Sequence, residues 1–274
     1  MKISVLLNTH GNIPIIKDSI DSIRTYMSND ILLIVDGANW KEVRDVNLGV
    51  HKVEGFYHNC PKAPFRNIAL GMNLLYNKWS DSDWYCYIEY DTLVVSSYFK
   101  TSLEKAIEKN VWFLGNDGRV SPQITIPGLD SMIGVHIPKT AYYYMLGCCQ
   151  FFHHHFMEKL VDRDFFNNFL LYTNDFTKGD YPGYFGYDVS EHMYPTLARA
   201  LGGNIGVFAS WNKENSEWHG NYTRYPMRWQ PVIGEEENYP EATLIHPLKS
   251  MDHPLRQFYK GLRENEKRNF GDNN

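Results

Sequence analysis

Apolar runs alternate with amphipathic stretches along the first part of the chain. The apolar runs occupy residues 3–7, 31–35, 84–88 and 111–114. Runs this short are typical of strands buried on both faces. Between them, apolar residues recur at three- and four-residue spacing, most clearly from Phe65 to Trp79, and this spacing predicts amphipathic helices. The alternation of strand and helix predicts an α/β fold, with a mostly parallel sheet and helices on both faces.

The second half of the chain has a less regular pattern. Residues 115–147 contain glycine and proline without clear periodicity. Helices are predicted from about residue 150 to 161 and from about residue 190 to 201. We find no internal repeat or linker, and we therefore predict one domain over residues 1–262, followed by a polar tail over residues 263–274.

Composition excludes some partners and leaves others open. The net charge of −5 and the absence of a basic cluster argue against nucleic acid as a partner. No apolar stretch approaches the roughly 18 residues that a membrane-spanning helix needs. The four cysteines form no CxxC pair, so we expect reduced thiols and a cytoplasmic protein. Peripheral membrane association and the oligomeric state stay open.

Two acidic residues follow one of the apolar runs directly. Glu89 and Asp91 flank Tyr90 at the end of the run over residues 84–88. Loops at the carboxyl ends of parallel strands are where α/β sheets bind ligands. Mg²⁺ and Mn²⁺ prefer oxygen ligands and also bind phosphate oxygens. The acidic pair therefore predicts a site for a divalent cation at this edge of the sheet.

Further polar motifs follow the other predicted elements in order. Asn8-Thr9-His10 follows the first strand, Asp36 ends the second, and Arg66-Asn67 lies near the start of the long amphipathic helix. Together with Glu89-Tyr90-Asp91, this order resembles the GT-A glycosyltransferases, with a layout like that of glycosyltransferase family 2. The resemblance implies that Thr9, His10 and Asp36 contact the nucleotide of a nucleotide-sugar, and that Asp91 and Glu89 bind Mn²⁺ or Mg²⁺.

The resemblance continues, more loosely, in the second half of the chain. Glu191-His192 matches the acidic pair that opens a later helix in that family, and His246 matches a late histidine that binds the metal. The family layout implies a nucleotide-binding half over residues 1–115 and an acceptor-binding half over residues 116–262. It also implies a uridine nucleotide and inversion at the anomeric carbon.

The chemistry of sugar transfer assigns roles to several of these residues. The leaving nucleoside diphosphate gains negative charge, which a divalent cation stabilises as a Lewis acid. Arg66 or Lys249 would add a charge-assisted contact to phosphate. The acceptor hydroxyl of a glycan or another molecule needs a carboxylate to take its proton. Glu191 is the first candidate for this base and Asp188 is the second.

Two other functions compete with sugar transfer. The opening segment up to Pro14 is similar to that of calcineurin-like metallophosphoesterases, but Asn8 stands where that family has a metal-binding aspartate. The second alternative is a non-catalytic domain of the same fold that binds a nucleotide or glycan. It is open because Glu89 and His192 stand where the glycosyltransferase motifs have aspartate or another acid.

Overall fold

Strands and helices alternate along the chain, and the computed structural model describes residues 1–57, 64–120, 125–174, 189–207, 210–212, 217–219, 227–229 and 243–271. The strands are β1 Ile3–Thr9, β2 Ile31–Val35, β3 His51–Glu54, β4 Trp84–Glu89, β5 Leu93–Val94, β6 Val111–Val120, β7 Tyr143–His153, β8 Asn204–Val207, β9 Ser210–Asn212, β10 Glu217–His219, β11 Met227–Trp229 and β12 Leu244–His246. The α-helices are α1 Ile13–Tyr26, α2 Trp40–Val43, α3 Pro64–Lys78, α4 Phe99–Glu108, α5 Leu129–Ile133, α6 His154–Val161, α7 Phe165–Tyr172, α8 Val189–Ala200 and α9 Pro254–Gly271. A short 3₁₀ helix spans Lys139–Ala141.

A seven-stranded sheet forms the centre of the described fold, in the order β3-β2-β1-β4-β7-β6-β8. β1 pairs in parallel with β2 and β4, β2 with β3, and β6 with β8. Only β7 runs antiparallel to its neighbours within this sheet, where it pairs with both β4 and β6. The register places Asn8 beside Glu89, so the ends of β1 and β4 lie level. The predicted α/β fold with a mostly parallel sheet is confirmed.

Helices cover both faces of this sheet. Leu6 of β1 faces a core formed with α3, α6, α7 and α8, whereas Val5 and Leu7 face a core formed with α1 and α4. Burying one such apolar side chain contributes about 1.5–3 kcal/mol. Gly71 lets α3 lie close against β1, because a Cβ atom at this position would lie 2.5 Å from Leu6 Cδ1. The predicted two-sided covering of the sheet is therefore confirmed.

The sequence pattern did not reveal strand β7. A helix was predicted from about residue 150, but β7 continues to His153 and α6 begins at His154. Phe151 and Phe152 point to opposite faces of the sheet and both are fully buried. A strand that is apolar on both faces has no period of two, so its pattern is indistinguishable from that of a buried helix.

The end of the chain also differs from the expectation. Residues 263–271 continue α9 where a polar tail was predicted. Arg263 is 2% exposed and pairs with the equally buried Asp18 of α1, so a polar residue fixes this helix to the fold. The boundary expected between residues 115 and 116 lies inside β6, so the central sheet takes strands from both halves of the chain.

A smaller sheet connects the late part of the chain to the residues that follow β4. β12 pairs antiparallel with β5, with Ile245 opposite Leu93, and β11 pairs in parallel with β12. His246 at the end of β12 therefore lies beside Thr92. Within the described ranges, no helix is both long enough and apolar enough to cross a bilayer.

Candidate metal and nucleotide site

The carboxyl end of β4 is held in place by hydrogen bonds from three directions. The backbone N–H of Tyr90 donates to Asn8 O at 2.9 Å, and Ser19 Oγ of α1 donates to Tyr90 O at 2.6 Å. The N–H of Thr92 donates to Glu89 O at 2.9 Å and closes a tight turn. Glu89 and Asp91 are thus presented by a fixed backbone at the edge of the sheet.

His246 completes a cluster with these two acids. Its Nδ1 atom lies 3.2 Å from Asp91 Oδ1, and its Nε2 atom lies 3.7 Å from Glu89 Oε2. One ligand atom from each of the three residues lies within 4.8 Å of the others, and no second group of this kind occurs among the described residues. The pairing of β12 with β5 brings together residues that are more than 150 positions apart.

The donor set fits a divalent cation. Asp91 Oδ1 is buried and accepts no well-aligned hydrogen bond from any described residue, although such an atom normally has a partner. Two carboxylates and one imidazole suit Mn²⁺ or Mg²⁺ together with phosphate oxygens. The residues present therefore fit the metal that the sequence motifs imply.

The two carboxyl groups of the cluster have pKa values shifted in opposite directions. Burial raises the pKa of Glu89, and the nearby charge of Asp91 adds to this shift. Burial would also raise the pKa of Asp91, but His246 and the positive charge of Lys249 outweigh it and lower this pKa. Asp91 is thus the carboxylate whose charged form the protein favours, as a metal ligand requires.

The ends of β1 and β2 bring His10 and Asp36 together next to the cluster. His10 Nδ1 lies 3.6 Å from Asp36 Oδ2, and this contact with the Asp36 carboxylate raises the pKa of His10 despite partial burial. Asp36 is buried and accepts a hydrogen bond from the N–H of Ala38. The His10 ring lies edge-on to Tyr90 at 6.2 Å. Two of the residues expected to contact a nucleotide therefore adjoin the expected metal ligands.

Thr9, Lys249 and Arg66 differ in their relation to this cluster. Thr9 is fully buried, and its hydroxyl bonds to both the N–H and the carbonyl of Gly11, so it shapes the loop. Lys249 is exposed and close enough to Asp91 to lower its pKa. Arg66 is buried with its guanidinium 3.9 Å from the centre of the Phe56 ring. Through Phe56 and the carbonyl oxygen of Leu170, Arg66 connects α3 to the segment after β3 and to α7.

Glu191, the candidate base, lies in the first turn of α8 and contacts β7. The N–H of Gly147 donates to Glu191 Oε1 at 2.6 Å. Burial raises the pKa of the thiol of Cys148, the next residue, and the nearby charges of Glu89, Glu191 and Asp91 add to this shift. Glu191 and the acidic pair are therefore both close to Cys148. Asp188, the second candidate base, lies outside the described residues.

Two residues of this region escaped the sequence analysis. Thr92 bonds to His246 through its hydroxyl, and Gly147 bonds to Glu191 through its backbone. Neither residue type is specific for a function, and both contacts depend on strand pairing. Only the position of Thr92 directly after an expected metal ligand could have drawn attention to it.

The fold and the site together define an α/β protein with a carboxylate–histidine cluster at the carboxyl edge of its sheet. No protein-family model and no curated protein matches the sequence. Among solved structures, the chain is similar to a glycosyltransferase involved in the glycosylation of the major capsid of PBCV-1, with 13% identity, 96% of this chain and 99% of that chain covered, and a TM-score of 0.42.

Two further solved structures show similar levels of likeness. The bifunctional IspDF from Campylobacter jejuni has 12% identity, 79% of this chain and 51% of that chain covered, and a TM-score of 0.41. S. aureus TarS 1–349 has 13% identity, 60% of this chain and 49% of that chain covered, and a TM-score of 0.36. All three TM-scores are below 0.5.

Proposed function

We propose that this protein is a divalent-cation-dependent glycosyltransferase that moves a sugar from a nucleotide-sugar to an acceptor hydroxyl. The observation that carries the proposal is the cluster of Glu89, Asp91 and His246 at the edge of the sheet, with ligand atoms within 4.8 Å of one another. His10 and Asp36 adjoin this cluster, which supports the nucleotide contact proposed for them. A cation site next to a nucleotide site is the arrangement that departure of a nucleoside diphosphate requires.

Each residue of the cluster has a part in holding the donor. Glu89, Asp91 and His246 would hold Mn²⁺ or Mg²⁺, which when bound supplies the positive charge that stabilises the leaving diphosphate. Lys249 lies close enough to Asp91 to add a charge-assisted contact to the same phosphates. We take the donor to be a UDP-sugar, on the basis of the sequence resemblance, and the acceptor to be a glycan or another molecule with a hydroxyl group.

Glu191 is the base in this proposal. Gly147 fixes one carboxylate oxygen of Glu191, and both Glu191 and the acidic pair lie close to Cys148. A carboxylate at this position would accept the proton of the acceptor hydroxyl. Inversion at the anomeric carbon, which the sequence resemblance implies, would suit this base, and Asp188 is the second candidate for it.

The composition of the cluster weighs against the phosphoesterase alternative. A phosphoesterase with two metal ions needs most of the ligands of a dinuclear site. The described residues bring together one group of three ligands. Asn8, which stands where that family has a metal-binding aspartate, donates a hydrogen bond from its amide to Tyr87 Oη at 3.5 Å. A non-catalytic nucleotide- or glycan-binding domain is the second candidate function, since binding requires the cluster without the base.

Thermal unfolding with nucleotide and metal tests the proposal. The wild-type protein and the variant Asp91→Asn are heated with UDP, GDP, CDP or no nucleotide, each with and without Mn²⁺. A ligand at 100 times its Kd adds about 2.7 kcal/mol to the free energy of unfolding, which raises Tm by several degrees in a chain of this size. We expect a Mn²⁺-dependent rise with one nucleotide in the wild type and none in Asp91→Asn.

The matched control is Asp45→Asn, because Asp45 is an exposed acid whose described ion pair is with the neighbouring Arg44. It is expected to behave as the wild type. Nucleotide-sugar hydrolysis measured on the same samples then separates an enzyme from a binding domain. A wild-type protein whose Tm responds to no nucleotide with Mn²⁺ would contradict the proposed function.

A further inference from the structure

A threonine hydroxyl lies against the metal-site histidine. Thr92 Oγ1 is 2.9 Å from His246 Nδ1 and 3.3 Å from the carbonyl oxygen of Cys148. Thr92 is fully buried and His246 is 5% exposed. The backbone N–H of Thr92 donates to Glu89 O, so this side chain projects from the same turn that carries both acids.

The surroundings of the imidazole determine which nitrogen carries the proton. The Thr92 hydroxyl has a single hydrogen to donate. A carbonyl oxygen can only accept a hydrogen bond, so the contact with Cys148 O uses this hydrogen. With that hydrogen used, Thr92 Oγ1 accepts a hydrogen bond from Nδ1–H of His246. Asp91 Oδ1 also lies 3.2 Å from Nδ1, and Glu89 Oε2 lies 3.7 Å from Nε2. In these described contacts, the oxygen atoms of Thr92 and Asp91 lie closer to Nδ1 than Glu89 Oε2 lies to Nε2. This difference favours a proton on Nδ1.

We propose that Thr92 is a positioning residue that holds His246 in the Nδ1–H tautomer and presents Nε2, together with Glu89, to a divalent cation. The inference rests on the proposed function, because the cation is the one that sugar transfer would use. A histidine ligand commonly donates its other N–H to a fixed acceptor, which sets both the tautomer and the angle of the ring.

The same contact explains why Asp91 keeps an oxygen for the metal. With a proton on Nδ1 directed at Thr92, Asp91 Oδ1 is left without a hydrogen bond from the described residues. Without the hydroxyl, the imidazole N–H would turn to the neighbouring Asp91 Oδ1, 3.2 Å away. Asp91 and His246 would then bind each other in competition with the cation.

The test uses two substitutions in the full chain. Thr92→Val has nearly the same shape but no hydroxyl, and Thr92→Ser keeps the hydroxyl. Mn²⁺ binding is measured without nucleotide from the electron paramagnetic resonance signal of the free ion. We expect Thr92→Val to bind Mn²⁺ about 10- to 100-fold more weakly than the wild type. Thr92→Ser is expected to bind close to the wild-type level, which a merely structural role of the methyl group would not predict.

A second measurement needs no metal. Long-range ¹H–¹⁵N correlation spectra of the metal-free protein identify the tautomer of His246, which is assigned by its loss in His246→Asn. We expect the Nδ1–H tautomer in the wild type and in Thr92→Ser, and a mixed or Nε2–H state in Thr92→Val. An Nε2–H tautomer in the wild type, or unchanged Mn²⁺ affinity in a folded Thr92→Val protein, would overturn the inference.

The two proposals can fail separately. If the wild-type protein binds no Mn²⁺, the proposed function fails, while the wild-type tautomer still decides the role of Thr92. If Thr92→Val does not fold, as judged by circular dichroism, the ¹H–¹⁵N spectra of the wild type and Thr92→Ser test the role of Thr92. An Nε2–H tautomer of His246 in these two proteins would overturn the inference.

Discussion

The N–H of Gly147 donates a hydrogen bond to Glu191 Oε1 across 2.6 Å, and it joins a central strand to the first turn of α8. The register between β6 and β7 shifts here, since Leu114 faces Phe151 but Asn116 faces Leu146. β7 therefore has extra residues opposite Gly115, and this bulge carries Gly147. Bulges of this kind often redirect a strand next to an active site.

Replacing Gly147 by alanine should impair catalysis while donor binding is retained. A Cβ atom at this position would lie 2.9 Å from Oε1 and 3.0 Å from Cγ of Glu191, so the carboxylate must move. Displacing a base by about 1 Å costs about 100-fold in rate. We expect kcat for sugar transfer to fall by about this factor with little change in the KM for the donor.

Gly261 provides the matched control for this substitution. A Cβ atom there would meet no atom within 4 Å, and alanine favours the helix α9 in which Gly261 lies. Gly261→Ala is expected to keep full activity. Equal kcat in both variants would show that the position of Glu191 does not matter for transfer.

Lys249 should affect metal and nucleotide in opposite directions. Its positive charge lowers the pKa of Asp91 and must also repel a cation bound there. In Lys249→Gln we expect Mn²⁺ alone to bind as tightly as in the wild type or more tightly. UDP in the presence of Mn²⁺ should bind about 10-fold more weakly, because a charge-assisted hydrogen bond contributes about 1.5–3 kcal/mol.

Isothermal titration of Mn²⁺, and then of UDP, measures both effects. Lys100 of α4 is exposed and is not among the charges that shift the pKa of Asp91, so Lys100→Gln is the control. Weaker Mn²⁺ binding in Lys249→Gln would contradict the assigned role, since loss of a positive charge cannot weaken cation binding by repulsion.

The buried ion pairs of Asp18 should be important for stability. Asp18 pairs with Arg263 and, at 2.6 Å, with Arg256, and all three side chains are buried. Arg256 also donates to Leu248 O, and the N–H of Leu248 donates to Asp91 O, so the pairs support the metal site. Removing one partner of a buried pair leaves an uncompensated charge. Asp18→Asn is expected to lower the free energy of unfolding by about 3–5 kcal/mol.

Urea unfolding measures this loss, with Asp21→Asn as the control. Asp21 lies one turn further along α1 and is exposed, so its replacement should change the free energy of unfolding by less than about 0.5 kcal/mol. Similar values for the two variants would mean that the ion pairs with α9 add nothing to stability.

His153 should make the protein less stable in mild acid. Burial, followed by the charges of His155 and His154, lowers the pKa of His153 to about 4. The unfolded chain has a pKa of about 6.5, so it binds more protons than the folded protein between these values. The contribution of His153 is complete above pH 6.5 and is lost as the pH falls toward 4. Allowing for partial exposure, we expect a loss of about 1 kcal/mol at pH 5.

The variant His153→Asn removes this titration and keeps a side chain that can cap α6. His153 accepts a hydrogen bond from the N–H of His155 at the start of this helix, and asparagine is a good substitute at such a position. Urea unfolding at pH 7.5 and pH 5 should show a smaller difference for the variant than for the wild type. If the free energy of unfolding changed equally between pH 7.5 and pH 5 in both proteins, groups other than His153 would cause the acid sensitivity.

Much of the first half of the fold could be predicted from local pattern. β1, β2 and β4 are short apolar runs, and α3 has apolar residues at helical spacing, so each element shows its burial within a few neighbouring residues. β7 and the end of α9 could not be predicted this way. β7 is buried on both faces and therefore lacks a period, and the polar Arg263 is buried because Asp18 lies opposite.

For the candidate site too, one part could be predicted from local sequence and another part could not. By itself, the sequence determined that Glu89 and Asp91 follow a buried strand, because the end of a strand is encoded in neighbouring residues. Its motifs also resemble a family that uses a late histidine, which matches His246. Only the tertiary structure decided that β12 pairs with β5, so that His246 meets Asp91 and Thr92. Pairing between distant strands depends on the whole fold, since its free energy comes from surfaces that no local stretch of sequence contains.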